Sequence, residues 1–218
     1  MLTDRFSLAL TEAERLHRNQ LRKGTSIPYI SHLLAVTAQV LEHGGDEDQA
    51  IAALLHDSIE DCADHVGGAQ LLRDRLRELF GPHVLELVEA CTDAETLPKP
   101  PWRERKEAHL RHLQTAPPAV LLVVAADKLH NTRTLLADVR RQGSSTWTRF
   151  KGGHDGTLWY ADAGIPWFDY ASKAAPVTTP STMAGIKSVG SLFKTKSGID
   201  LPGNASIPLT PTVLLSEK

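Results

Sequence analysis

Cysteine is scarce in this chain, with two residues in 218, Cys62 and Cys91. Two thiols make no disulfide framework, and they fit a reducing cytoplasm. Positive charge is not in excess either. Twenty-four Lys and Arg stand against 26 Asp and Glu, a formal net charge of -2, so the overall basic footprint of a general nucleic-acid binder is missing. No apolar run approaches the roughly 18 residues of a membrane span. The segment MLTDRFSLALTEAERLHRNQ is charged and amphipathic, without the apolar stretch of a signal peptide. The reading is a cytoplasmic protein with no membrane partner. Alternating apolar and polar strands are also lacking, which leaves an all-α fold. Arginine disappears after Arg149. From residue 161 onward Pro, Gly, Ser and Thr dominate, so residues 161–218 read as an irregular tail on a domain of residues 1–160.

Hydrophobic residues make up 41% of the chain, enough for a core. Phe6, Ala9, Leu10, Ala13 and Leu16 recur at helical spacing, and Gly24 and Pro28 interrupt the loop that follows. A helix from about His32 to Glu42 ends at Gly44-Gly45. Asp46 is the N-cap expected for a single helix carrying AIAALLHDSIED. The periodicity predicts further helices over Ala69 to Phe80, after Gly81-Pro82, and after Pro101. The run PPAVLLVVAADKLHNTRTLLADVRRQG contains an apolar piece that resembles a buried strand. Its length without a turn signal predicts one long helix from Pro117-Pro118 to Gly143.

The chemistry centres on His56-Asp57, with His32 upstream and Asp127 downstream. A His-Asp pair alone is commonly structural. Asp127 follows AVLLVVAA, where a carboxylate needs a partner. Two imidazoles and two carboxylates in apolar surroundings suit manganese, iron or zinc better than calcium. On one helix His56 would share a face with Glu60, and Asp57 with Asp61. Glu60 and Asp61 would then stand about one turn, roughly 5 Å, along the axis, an offset that suits contact with water beside a metal. Tyr29, between Pro28 and Ile30, reads as core. Arg103, Arg105 and Lys106 form a second basic patch, read as a solvated helix face ahead of a cover over the site entrance.

The blocks YISHLLAV, AALLHDSIED and ADKLHNTRTLL stand in the order and approximate spacing of the HD-domain phosphohydrolases. More narrowly, the chain resembles the guanosine polyphosphate (ppGpp) hydrolases over about residues 5–160. The resemblance implies an HD-domain helical bundle and a metal-dependent enzyme of the stringent response that removes the 3′-diphosphate of ppGpp or pppGpp as pyrophosphate. It implies His32, His56, Asp57 and Asp127 as metal ligands, with Mn2+ the usual ion and another divalent metal admissible. It implies Glu60 and Asp61 as the acidic pair acting on water. Arg22, Lys23, Lys128 and Asn131 match nucleotide-contacting positions, and His130 stands next to the last of them. Two alternatives remain open: a phosphohydrolase for a nucleoside monophosphate or a dNTP, and a nucleotide-sensing module without turnover. The departure is at FKGGHDGTLWYADAGIPWFDY, where Gly164 and Pro166 break the expected last helix and Trp159, Trp167 and Phe168 would partly restore its cover.

Overall fold

A computed structural model describes residues 1–92 and 99–163. The reading of an irregular tail beyond residue 163, Trp167 and Phe168 included, lies outside the described residues. Nine α-helices are found among those described: α1 (Asp4–His17), α2 (Ile30–Glu42), α3 (Glu47–Leu55), α4 (Ser58–Cys62), α5 (Ala69–Phe80), α6 (Pro82–Cys91), α7 (Trp102–Leu113), α8 (Pro118–Gln142) and α9 (Gly153–Ala163). Two short 3-10 segments, Ala63–Val66 and Gly143–Arg149, join them. One isolated antiparallel bridge, Leu21 to Pro28, is the only β pairing among the described residues. The all-α expectation therefore holds.

α3 is the centre of the bundle. Asp46 and Gln49 form a reciprocal capping box at its start. Ala50 through Leu55 are then fully buried, six consecutive residues with no polar face. A helix apolar all round must be surrounded, and α1, α2, α6 and α8 pack against it. α8 is 25 residues long, about 37 Å. Its LLVVAA piece is helical and sits between α2, α3 and α6.

One sequence expectation fails here. AIAALLHDSIED is not one helix, because α3 stops at Leu55 and α4 begins at Ser58. The Ser58 hydroxyl donates to the Leu55 carbonyl at 2.6 Å, and the His56 ring donates from Nδ1 to the Ala53 carbonyl at 2.9 Å. Side chains thus capture carbonyls near the end of α3, and such local bonds compete with helix continuation. Asp57 sits at the break with φ -96° and ψ -1°.

Candidate metal centre and the cavity around it

Three helices deliver the central residues. His32 lies in the first turn of α2, His56 and Asp57 at the α3–α4 break, and Asp127 midway along α8. Beneath them Val36 and Val40 of α2, Ala53 of α3, and Val123 and Ala126 of α8 form one buried cluster. Val36 is one turn from His32, Ala53 one turn from His56, and Val123 one turn from Asp127. Small side chains at Ala53 and Ala126 keep the helices close, so packing of this cluster sets the geometry above it.

His32 Nε2 lies 3.1 Å from Asp127 Oδ1 and 3.6 Å from Asp57 Oδ2. His56 Nε2 lies 2.9 Å from Asp57 Oδ2 and 3.8 Å from Asp127 Oδ1. Ligands held about 2.0–2.2 Å from one cation stand about 3–3.5 Å from each other, so this spacing fits a first-row divalent ion. Ligand atoms of His32, His56 and Asp57 all lie within 4.8 Å of one another.

The protonation pattern points the same way. A carbonyl only accepts, so His56 Nδ1 carries the proton and, in the neutral ring, Nε2 is a bare lone pair. His32 Nδ1 lies 2.7 Å from His130 Nδ1, so a neutral His32 donating there also has a bare Nε2. Burial, then the neighbouring His32 and Arg22, push His130 down to about 4, so it is neutral. Both Nε2 atoms are buried and make no hydrogen bond. In the neutral rings these lone pairs face carboxylate oxygens, so positive charge belongs between them, either a proton on the ring or a metal cation. Burial works against charge here, yet Asp57 and Asp127 raise His56 well above the imidazole range. Burial likewise opposes ionisation of Asp127, and Lys128 and the imidazoles still hold it well below the carboxyl range.

Around this core the carboxylates are anchored. The Tyr29 hydroxyl donates to Asp57 Oδ2 at 2.6 Å. Lys128 donates to Asp127 Oδ2 at 2.8 Å, and Asn131 donates to Asp127 Oδ1. Arg22 donates to Asn131 Oδ1 at 2.7 Å, held there by the closed loop in which Arg22 N bonds the Ile27 carbonyl. Lys128 and Asn131 are thus brought to Asp127 itself, and Arg22 to Asn131. Lys23 is not; it lies over the Phe150 ring at 5.9 Å.

A cavity of about 200 Å³ opens on the centre, with Asp57, Asp127, His56 and Glu60 on its wall. Beside it lies a larger cavity of about 820 Å³ that shares Arg22, Tyr29, Glu60 and Lys128 with it. Nine Lys or Arg line the larger cavity against three Asp or Glu, a wall that attracts an anion. Glu60 accepts from Lys99 at 2.8 Å, with Arg105 at 3.8 Å. Asp61 accepts from Gln20 at 2.7 Å and faces the larger cavity.

Two readings need correction. Tyr29 does pack against the core, but its hydroxyl binds Asp57 and it lines both cavities. Arg105 and Lys106 are not a solvated face: both line the larger cavity, and Arg105 is 11% exposed. Arg103 is the solvated one, pairing with Glu107 and stacked 3.3 Å over Trp159. Lys99 and Gln20 gave no sequence signal, because their partners are remote in the chain.

The HD domain family matches residues 9–158. The chain belongs to the HD-domain family. Among HD-domain relatives it is 38% identical over 126 residues to the guanosine-3′,5′-bis(diphosphate) 3′-pyrophosphohydrolase MESH1 of Homo sapiens, covering 56% of this chain and 65% of that one. It is 39% identical over 127 residues to MESH1 of Xenopus tropicalis, with the same coverage. The match therefore spans just under two thirds of those relatives. Among solved structures, a metazoan ortholog of SpoT that hydrolyses ppGpp superposes with TM-score 0.61 over 88% of this chain and 97% of that one, at 24% identity. That likeness is one of fold. Lmo0812 of Listeria monocytogenes superposes with TM-score 0.61 at 28% identity, covering 75% and 99%. An HD domain implies a divalent metal, and His32, His56 and Asp57 form a site that can hold one. No helix among the described residues is long and apolar enough to cross a membrane.

Proposed function

We propose that this protein is a manganese-dependent hydrolase that removes the 3′-diphosphate of guanosine polyphosphates as pyrophosphate, acting in the cytoplasm on the nucleotides of the stringent response. The observation that carries the reading is the pair of buried Nε2 atoms facing Asp57 and Asp127, with His56, Asp57 and Asp127 on an inner cavity that adjoins a basic one. The MESH1 relatives support the choice of nucleotide.

In this reading His32, His56, Asp57 and Asp127 hold the ion. A bound divalent cation supplies charge for a phosphate oxygen and acidifies water. Glu60, on the wall of the inner cavity, orients the attacking water. Asp61 accepts its proton. Asp61 is exposed, yet partial burial of its carboxyl, then the charge of Asp57, raises it to about 6. Arg22, Lys23, Lys128 and Asn131 steady the substrate, cations on its phosphates and Asn131 as a polar contact. Water forms a bond to the phosphorus next to the 3′ oxygen. The bond from that phosphorus to the 3′ oxygen breaks, pyrophosphate leaves, and the 3′ hydroxyl is restored by a proton from solvent.

The test is the full chain with manganese and guanosine tetraphosphate, following pyrophosphate with and without chelator. Release that stops on chelation is expected. A substrate panel in which a nucleoside monophosphate or dNTP is turned over instead would replace the nucleotide assignment.

A further inference from the structure

Tyr160 on α9 carries a buried hydroxyl with no hydrogen-bond partner. A buried, unpaired phenol is unfavourable and unusual in a folded protein. The same condition marks the two Nε2 atoms of the metal centre, along with others such as Gln39 Oε1, His43 Nε2 and Thr146 Oγ1, so it is the place of Tyr160 beside the cavities that singles it out.

The position of Tyr160 explains what that ligand would be. It lines both cavities, and in the inner one it shares a wall with Asp127 and His56. Lys106 Nζ stands 4.8 Å and Lys128 Nζ 5.3 Å from the centre of its ring. A phenolic donor with two ammonium groups close to its ring, on the wall of a cavity that also holds Asp127 and His56, is a binding surface for an oxyanion. The placement is built rather than incidental. Trp102 of α7 packs edge-on to Tyr160 at 6.3 Å. It fits there because Gly152 and Gly156 leave room: a Cβ at Gly152 would lie 2.7 Å from the Trp102 ring, and one at Gly156 3.0 Å.

We propose that Tyr160 is a substrate-binding residue whose hydroxyl donates a hydrogen bond to a phosphate oxygen of the bound diphosphate, with Lys106 and Lys128 close by. The proposal rests on the phosphohydrolase reading above.

The experiment compares the full-length wild type with Tyr160→Phe, both loaded with manganese, using inorganic pyrophosphate as the probe in calorimetry and thermal melts of the free proteins. Pyrophosphate binding weaker by about tenfold in Tyr160→Phe is expected, the usual loss of one hydrogen bond to a charged acceptor. The melting temperature of the free variant is expected to be unchanged or higher, since the hydroxyl has no partner to lose. Manganese affinity should be unchanged. Equal pyrophosphate affinity in the two proteins, no binding to wild type at all, or a lowered melting temperature with unchanged affinity would each overturn the proposal. Turnover of guanosine tetraphosphate by wild type reports separately on the hydrolase reading. A protein that binds pyrophosphate through Tyr160 but spares that nucleotide would keep this site and change the substrate.

Discussion

Gln20 donates its side-chain amide to Asp61 Oδ2 at 2.7 Å. That bond fixes the amide, so its oxygen faces His17 Nδ1, which therefore donates to it. His17 is buried, and burial pushes its pKa down, so the ring is neutral. Asp61 thus sits at the end of an oriented chain, with its carboxyl at about 6. Only the ionised form accepts a proton, so kcat is expected to rise with pH through about 6 and then level. Asp61→Asn should erase that limb and lower kcat by about 100-fold. The measurement is kcat against pH with saturating manganese and nucleotide. A wild-type profile flat between about pH 5 and about pH 8 would remove Asp61 from the role of base.

The proton on His56 Nδ1 gives the second expectation. With Nε2 turned toward Asp57 and Asp127, the centre is expected to take a cation through His32, His56, Asp57 and Asp127. Asp127→Asn keeps the shape and removes one anionic ligand. Manganese affinity is expected to fall by more than about 100-fold, beyond what loss of a mere supporting bond causes. Manganese at about 100 times its Kd should stabilise wild type by about 2.7 kcal/mol and the variant far less. Calorimetry and melts with and without the metal check both points. A variant that binds manganese like wild type would place the ion elsewhere.

Much of this was legible before any coordinates. α5 spans Ala69–Phe80 as the periodicity required, because Gly81-Pro82 stops it. The convergence of His32, His56, Asp57 and Asp127 was legible because apolar neighbours such as Val36, Ala53 and Ala126 draw those segments into one core. The break at His56 was not. The apolar period runs straight across it, and the helix ends only because Ser58 and His56 capture carbonyls, a local competition that periodicity does not register. Tyr29 looked like core since its partner Asp57 is 28 residues away. Arg105 and Lys106 follow a polar pattern that suits solvent or a cavity wall equally. Docking of α7 against α9, not anything within PWRERKEAHL, decides between them.

Glu60 is expected to separate metal binding from turnover. It stands on the wall of the inner cavity, four residues beyond His56, and its carboxylate is steered by Lys99 and Arg105. Glu60→Gln should keep manganese affinity within about twofold while kcat drops by about 100-fold or more. Metal titration and steady-state kinetics on one preparation suffice. Full activity in the variant would sink the assignment of Glu60 to the attacking water.

Stability should carry its own acid limb, set far from the metal. Glu12 of α1 is 4% exposed and accepts bidentate bonds from Arg15, at 3.0 and 2.7 Å, and from Arg75, at 2.6 and 3.0 Å. Burial alone would raise its carboxyl, but the bonds from Arg75 and Arg15 outweigh it and lower the pKa from 4.5 to about 2. Between those values the unfolded chain binds a proton that the folded chain refuses, so stability rises with pH across the window. The contribution is fully present above about pH 4.5 and is lost as the pH falls toward about 2. At about 1.4 kcal/mol per pH unit it amounts to at most about 3.5 kcal/mol, less because Arg75 is half exposed. Glu12→Gln should be less stable at neutral pH and lose less on acidification than wild type. Urea melts at about pH 3 and about pH 7 measure both slopes; parallel losses in the two proteins would assign the acid limb to other carboxylates.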